Sequence, residues 1–172
     1  MKQTLSLVDQ VVLDKILSFI RQIGITVVET ELPETTFLPG LNLGPNCIYV
    51  DYGKLRYPGD ILHEAGHLAV TDADQRSKIG TPEIDADWPN GGEEMGAMLW
   101  SYAALKYIGI PEEVVFHPNG YKGEAEWLIN NFKNGTYIGM PFLEWTGIAL
   151  GKDRAQKEGQ PEFPTVLKWL RD

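Results

Sequence analysis

Cysteine, histidine and basic residues are scarce in this 172-residue sequence, which has one cysteine, three histidines and 15 lysines and arginines against 24 acidic residues. A single cysteine, Cys47, excludes an internal disulfide and a zinc site built from cysteines, and we interpret it as a small buried side chain. The net charge of −9 and the lack of a basic run argue against nucleic-acid binding. The same acidity disfavours contact with anionic membranes.

Long hydrophobic runs are also missing. No stretch approaches the ~20 apolar residues of a membrane span. The N-terminal sequence "MKQTLSLVDQVVLDKILSFI" is interrupted by Asp9, Asp14 and Lys15, which predicts an amphipathic helix and not a signal peptide. We therefore expect a cytoplasmic protein. There is no internal repeat, low-complexity tract or clear domain boundary, so the length predicts one domain over residues 1–172.

The order of predicted elements is a helix, a few strands, and then mostly helices. Apolar spacing, breakers and β-branched runs predict helices at 7–23, 60–71, 93–110, 111–116, 123–135, 140–150 and 163–172, and strands at 25–30, around Phe37 and at 47–52. Asp60 is the expected N-cap of the second helix. This order predicts an α+β fold, with a small sheet packed on one side of a mostly helical body.

The short motif "ILHEAGHLA" holds two of the three histidines, His63 and His67, four positions apart. On a helix this spacing puts both imidazoles on one face, where they can bind one metal ion. Glu64 follows the first histidine and can reach a water at the metal without being a ligand, which is the arrangement of a zinc hydrolase with Glu64 as general base. With only three histidines in the chain, this motif is very unlikely to occur by chance. It predicts a Zn²⁺ site.

A catalytic zinc site needs a third protein ligand. The nearest candidates are Glu93 and Glu94, which begin the next predicted helix after a long acidic loop, and His117 is a further one. Consecutive helix positions differ by about 100° in direction, so only one of the two glutamates can face the metal. Both helix faces could pack against the histidine helix, and periodicity leaves the choice open.

Together, "ILHEAGHLAV" and "EEMGAMLWSYAAL" resemble the gluzincin arrangement, and most closely the small ImmA/IrrE-like metallopeptidases. The resemblance covers roughly residues 8–108 and implies a minimal zincin-like domain. It also implies that Glu94 is the third ligand, because Glu94 fits the family's second-helix pattern better than Glu93 does. Met98 and Ser101 depart from that pattern. Residues 109–172 match nothing in the family and form a helical extension of unassigned role.

The function implied by the resemblance is zinc-dependent hydrolysis of peptide bonds in a peptide or protein substrate. An alternative is a zinc-binding regulatory or interaction protein on a peptidase scaffold with little or no turnover, which docks a protein partner through its C-terminal third. A hydrolase acting on a non-peptide amide would share the same metal chemistry.

Other residues are candidates for substrate contacts near the motif. A donor to the substrate oxyanion is expected in such a mechanism, and the candidates by residue type are His117, Tyr102, Tyr107 and Tyr121. The strand "CIYVDY" is the candidate sheet edge for an extended substrate, although an interior strand fits its composition almost as well. Trp88 is a candidate cleft residue. The aspartates of the acidic loop lack the spacing of a calcium loop and are interpreted as solvated.

Overall fold

The computed structural model describes residues 6–172, so the first five residues of the N-terminal stretch lie outside the part described. Helix α1 spans Leu7–Gln22 and begins with a capping box, in which the Ser6 side chain and the Asp9 backbone and side chain bond reciprocally. One face of α1 is buried and the other is exposed, as the amphipathic pattern predicts.

Three short strands form one mixed sheet. They are β1 (Thr26–Glu29), β2 (Leu41–Gly44) and β3 (Cys47–Val50), in the order β1-β3-β2. The β1–β3 pair is parallel and the β2–β3 pair is antiparallel. The prediction that "CIYVDY" is an edge strand is therefore wrong, because β3 is hydrogen-bonded to a neighbouring strand on both sides. The strand expected around Phe37 lies a few residues later, and Phe37 itself is exposed.

Helix α2 (Pro58–Val70) carries the histidine motif and is almost entirely buried. Its start differs from the prediction. Pro58 occupies the first turn, where proline is well tolerated, and Tyr57 is the N-cap residue. Asp60 lies within the first turn as a buried side chain bonded to His117, so it is not the N-cap. A short helix, α3 (Ala73–Arg76), follows within the acidic loop.

The long helix α4 (Gly91–Ile108) packs along α2. Four further helices follow, at α5 (Glu112–Val115), α6 (Ala125–Lys133), α7 (Met140–Trp145) and α8 (Lys152–Glu158), and a 3-10 turn spans Tyr121–Gly123. Helices from both halves contribute to one contiguous hydrophobic core. The α+β class is confirmed, with a small sheet and a mostly helical body.

The predicted helix over residues 163–172 is wrong. The backbone of this segment bonds to distant parts of the chain instead of to itself, with Phe163 N donating to Leu150 O and Arg171 N to Ala69 O, both at 2.8 Å. The Trp169 ring packs against Phe19 and Trp100. Burial of these aromatic groups and tertiary backbone bonds override the local helical pattern. Within residues 6–172 there is no helix of the length and apolarity that a membrane crossing requires.

Candidate metal centre

The two motif histidines project from one face of α2, and the Nε2 atoms of their rings approach each other. Their Nε2 atoms lie 3.1 Å apart, and the ring planes are nearly perpendicular. His67 is buried and His63 is partly buried. This is the outcome of the i, i+4 spacing on a helix that the surrounding apolar side chains hold in the core.

Glu94 completes the cluster from α4. Its carboxylate oxygens lie 3.4 Å from His63 Nε2 and 3.2 Å from His67 Nε2. Among the described residues, these three form the one group of histidine, cysteine or acidic side chains placed to hold a metal ion. The acidic loop has no such group, since Asp72 caps α3 and Asp74 pairs with Lys78.

Glu93 points elsewhere and has a structural task. Asn90 is the N-cap of α4, and its side-chain oxygen accepts from the Gly92 and Glu93 amides, both at 3.0 Å. The Glu93 carboxylate accepts in return from the Asn90 amide at 2.9 Å. This reciprocal capping box turns Glu93 back along the helix and leaves Glu94 facing α2.

A close crossing of the two helices brings Glu94 within reach of the histidines. Gly66 lies between His63 and His67, and a Cβ atom there would come within 2.7 Å of the Ala97 carbonyl oxygen. Ala97 is one turn after Glu94, so the contact that only glycine permits is next to the cluster. The missing side chain at Gly66 thus sets the distance between the ligand-bearing helices.

The three side chains fit a zinc ion. Tetrahedral zinc with bonds of 2.0–2.2 Å to nitrogen and oxygen ligands places neighbouring ligand atoms about 3.3 Å apart, and the observed separations are 3.1, 3.2 and 3.4 Å. His63, His67 and Glu94 would hold the ion, each with one ligand atom. The Nδ1 atoms of both rings are buried without a hydrogen-bond partner among residues 6–172, which departs from the usual outer-shell bond to a ligating histidine.

Burial and mutual charge shift the pKa values of all three residues of the cluster. The hydrogen bond to His63 lowers the pKa of Glu94, which burial opposes. Burial and the charge of His63 lower the pKa of His67 to about 4, against the pull of Glu94. Burial also acts to lower the pKa of His63, but the bond to Glu94 and the neighbouring carboxylates outweigh it and raise that pKa. These directions favour a protonated His63 beside an ionised Glu94 in the metal-free site, and a metal ion would displace the proton of His63.

Glu64 lies next to the cluster and is not part of it. Its carboxylate makes no hydrogen bond or ion pair with the described residues, unlike the carboxylates of Glu93 and Glu94. Burial raises the pKa of Glu64 to about 7, with help from the charges of Asp60 and Glu94 and against that of His63. A carboxylate with a pKa near 7 can both take and return a proton at neutral pH.

His117 is not a third ligand. Its Nε2 is 2.8 Å from Asp60 Oδ1, and its ring stacks on Tyr57 with 3.9 Å between centroids. Asp60 lies one turn before Glu64 on α2, so this buried pair ties the loop after α5 to the start of the motif helix. The sequence held no signal for it, since 57 positions separate the partners.

Trp88 folds over the opposite end of the motif. Its Nε1 donates to the Thr71 hydroxyl at 2.9 Å, and that hydroxyl donates to the His67 carbonyl at 2.6 Å. The indole centroid lies 6.0 Å from that of His67. Trp88 is thus a wall of the site beside one histidine, as Tyr121 is beside the other.

A comparison of the sequence with protein-family models found no match, and comparisons with curated proteins and with solved structures found none either. The function is therefore inferred from the site itself.

Proposed function

We propose that the chain is a zinc-dependent metallopeptidase, in which His63, His67 and Glu94 hold the metal and Glu64 is the general base. The observation that carries this proposal is the pairing of a three-residue cluster with a partly buried carboxylate beside it that has no partner among the described residues. A purely structural zinc site is normally closed by four protein ligands and has no use for such a base. The resemblance of both helices to the ImmA/IrrE-like metallopeptidases supports the same assignment.

Each residue has a separate task in hydrolysis. The chemistry that bound zinc supplies is Lewis acidity, which makes hydroxide available near neutral pH and polarises a carbonyl. Glu64 takes one proton from the attacking water while the water oxygen bonds to the scissile carbonyl carbon. Glu64 then gives that proton to the leaving nitrogen as the C–N bond breaks. The scaffold keeps the three ligands in place through the α2–α4 crossing and the capping box of α4.

The substrate we propose is a peptide or protein, and the place of action is the cytoplasm. The acidic surface and the lack of a basic run are the reasons against a nucleic-acid substrate. The single buried cysteine is compatible with a reducing compartment.

The test combines metal analysis with peptide cleavage. We expect about one zinc per chain by elemental analysis and cleavage within a peptide library by the zinc-loaded protein. Glu64→Gln should keep the zinc and lose cleavage, whereas Glu83→Gln, in the exposed loop, should change neither. Cleavage by Glu64→Gln at the wild-type rate would exclude the mechanism. Stoichiometric zinc with no cleavage of any library member would favour the regulatory alternative.

A further inference from the structure

Tyr121 is held beside the metal centre in an unusual backbone conformation. Tyr121, Lys122 and Gly123 have consecutive positive φ angles of 54°, 53° and 84°. Residues other than glycine rarely adopt this left-handed backbone region, and such strain persists only where the surroundings impose it. Strained residues of this kind concentrate at functional sites.

The contacts around the turn show what imposes the conformation. His117 is bonded to Asp60 on α2, and the Gly120 amide donates to the His117 carbonyl at 3.0 Å. Gly120 lies so close to the His117 ring that a Cβ atom there would be 3.2 Å from it. The Tyr121 ring packs on Phe116, with 5.1 Å between centroids. The motif helix therefore anchors the turn, and the turn fixes the direction of the Tyr121 ring.

That direction places the ring against the first motif histidine. The Tyr121 ring meets the His63 ring edge to face, with centroids 5.5 Å apart and planes 84° apart. The hydroxyl of Tyr121 is a neutral hydrogen-bond donor at physiological pH, because the ordinary pKa of a tyrosine is about 10. It has no hydrogen-bond partner among the residues that the structure describes, unlike the Tyr57 hydroxyl, which accepts from Asn119.

The other donor candidates are elsewhere. Tyr102 packs on Phe132, and Tyr107 is mostly exposed against Phe19. Both lie on α4 well past Glu94, at about 12 Å and 20 Å along the helix axis for a rise of 1.5 Å per residue. The remaining candidate, His117, has its Nε2 committed to Asp60.

We infer that Tyr121 is a catalytic residue, whose hydroxyl donates a hydrogen bond to the carbonyl oxygen of the substrate as that oxygen becomes negative. This inference rests on the proposed function. The attacking water oxygen bonds to the carbonyl carbon, the carbonyl π electrons move onto the oxygen, and the Tyr121 O–H shares its hydrogen without losing it. When the C–N bond breaks, the carbonyl reforms and the hydroxyl is free again.

The test is Tyr121→Phe in the zinc-loaded full chain, with Tyr102→Phe as the matched control. Both variants remove one tyrosine hydroxyl that has no hydrogen bond to the described residues, and both keep the ring. On the library peptide that the wild type cleaves best, we expect Tyr121→Phe to lower kcat by about 10²–10³-fold, as the loss of one oxyanion donor does elsewhere. KM, zinc content and Tm should stay at wild-type values. Tyr102→Phe should match the wild type throughout.

Binding of inorganic phosphate to the zinc-loaded protein gives a second readout, independent of turnover. A tetrahedral oxyanion at the metal needs the same donor, so calorimetry should show phosphate bound about tenfold more weakly by Tyr121→Phe than by Tyr102→Phe. Equal phosphate affinity in the two variants, no phosphate binding by the wild type, or a change in KM alone would each overturn the inference.

The two readouts separate the inference from the proposed function. If the wild type cleaves no peptide while Tyr121→Phe still weakens phosphate binding, the peptidase proposal fails and the donor role stands. If the wild type cleaves peptides and Tyr121→Phe matches it in kcat and in phosphate affinity, the donor role fails and the peptidase proposal stands.

Discussion

At the scale of single residues, two adjacent glutamates have opposite tasks. Glu94 approaches both histidines, and Glu93 closes the capping box with Asn90. The same substitution of glutamate by glutamine can therefore be made at either position. At Glu94 it tests metal binding, and at Glu93 it tests the stability of the fold.

We expect Glu94→Gln to weaken zinc binding by at least tenfold, because a neutral amide replaces the one anionic ligand. Glu93→Gln should bind zinc as the wild type does, and its free energy of unfolding should fall by no more than about 1 kcal/mol, because glutamine can also close a capping box. Zinc titration by calorimetry and denaturation with urea measure the two effects. Loss of zinc binding in Glu93→Gln would contradict the assignment.

The raised pKa of Glu64 and the lowered pKa of His67 act against each other in the metal-free protein. Glu64 in the folded chain holds a proton between about pH 4.5 and 7 that the unfolded chain releases, so its contribution to stability grows as pH falls through that window. His67 in the folded chain lacks a proton between about pH 4 and 6.5 that the unfolded chain binds, so its contribution is lost as pH falls.

Glu64→Gln removes the first of these contributions and leaves the second. Between pH 7 and pH 5, the free energy of unfolding of the metal-free variant should fall by about 2 kcal/mol relative to the wild type, at 1.36 kcal/mol per pH unit over most of the window. Urea denaturation in the presence of a chelator at the two pH values measures this difference. A parallel pH dependence in both proteins would show that Glu64 ionises normally in the fold.

At the scale of elements, the crossing of α2 and α4 at Gly66 and Ala97 sets the ligand distances. In Gly66→Ala the added methyl group must push α4 away, because it would meet backbone. We expect a loss of about 1–3 kcal/mol in stability and a weaker zinc affinity, since Glu94 moves away with α4. Gly91→Ala is the matched control, because a Cβ atom there meets nothing within 4 Å. Wild-type zinc affinity in Gly66→Ala would contradict this role of the crossing.

How much of the site was readable in the sequence depended on the range of the interaction. The i, i+4 spacing of His63 and His67 is local, and it predicted the paired imidazoles. The choice between Glu94 and Glu93 was also local, since Asn90 three positions before Glu93 is the pattern of a capping box and assigns that glutamate to the helix start. Helical periodicity could not decide it, because α4 is buried on more than one face.

Longer-range features had no comparable signal. The Asp60–His117 pair joins residues 57 positions apart, so nothing in the flanking sequence distinguishes it. The position of "CIYVDY" in the sheet did have a local signal. The continuous apolar run from Cys47 is typical of an interior strand buried on both faces, not of an edge strand. The terminal segment fails as a helix because its backbone bonds to α2 and to the chain before α8, which no local pattern encodes.

At the scale of the whole molecule, the C-terminal third completes the site and supports the motif helix. It supplies Tyr121 and His117 on one side of the metal centre. On the other side, Arg76 donates to the Leu68 carbonyl at 2.8 Å and also bonds the Arg171 carbonyl, so the final residues and the end of α2 are held by one guanidinium. The C-terminal third is thus bonded to both ends of the helix that carries the two histidines.

Because the ligands come from two helices that meet only in the folded chain, zinc should stabilise the whole molecule. At a free zinc concentration of 100 times Kd the stabilisation is about 2.7 kcal/mol, which for a chain of this size raises Tm by about 5–10 °C. Differential scanning calorimetry with zinc and with a chelator measures the shift. Glu64→Gln should show the full shift, since Glu64 is not a ligand. Glu94→Gln should show about half of it or less, because a tenfold weaker affinity leaves a stabilisation of only about 1.4 kcal/mol at the same zinc concentration. An equal shift in Glu94→Gln and the wild type would mean that zinc binds the fold somewhere other than between α2 and α4.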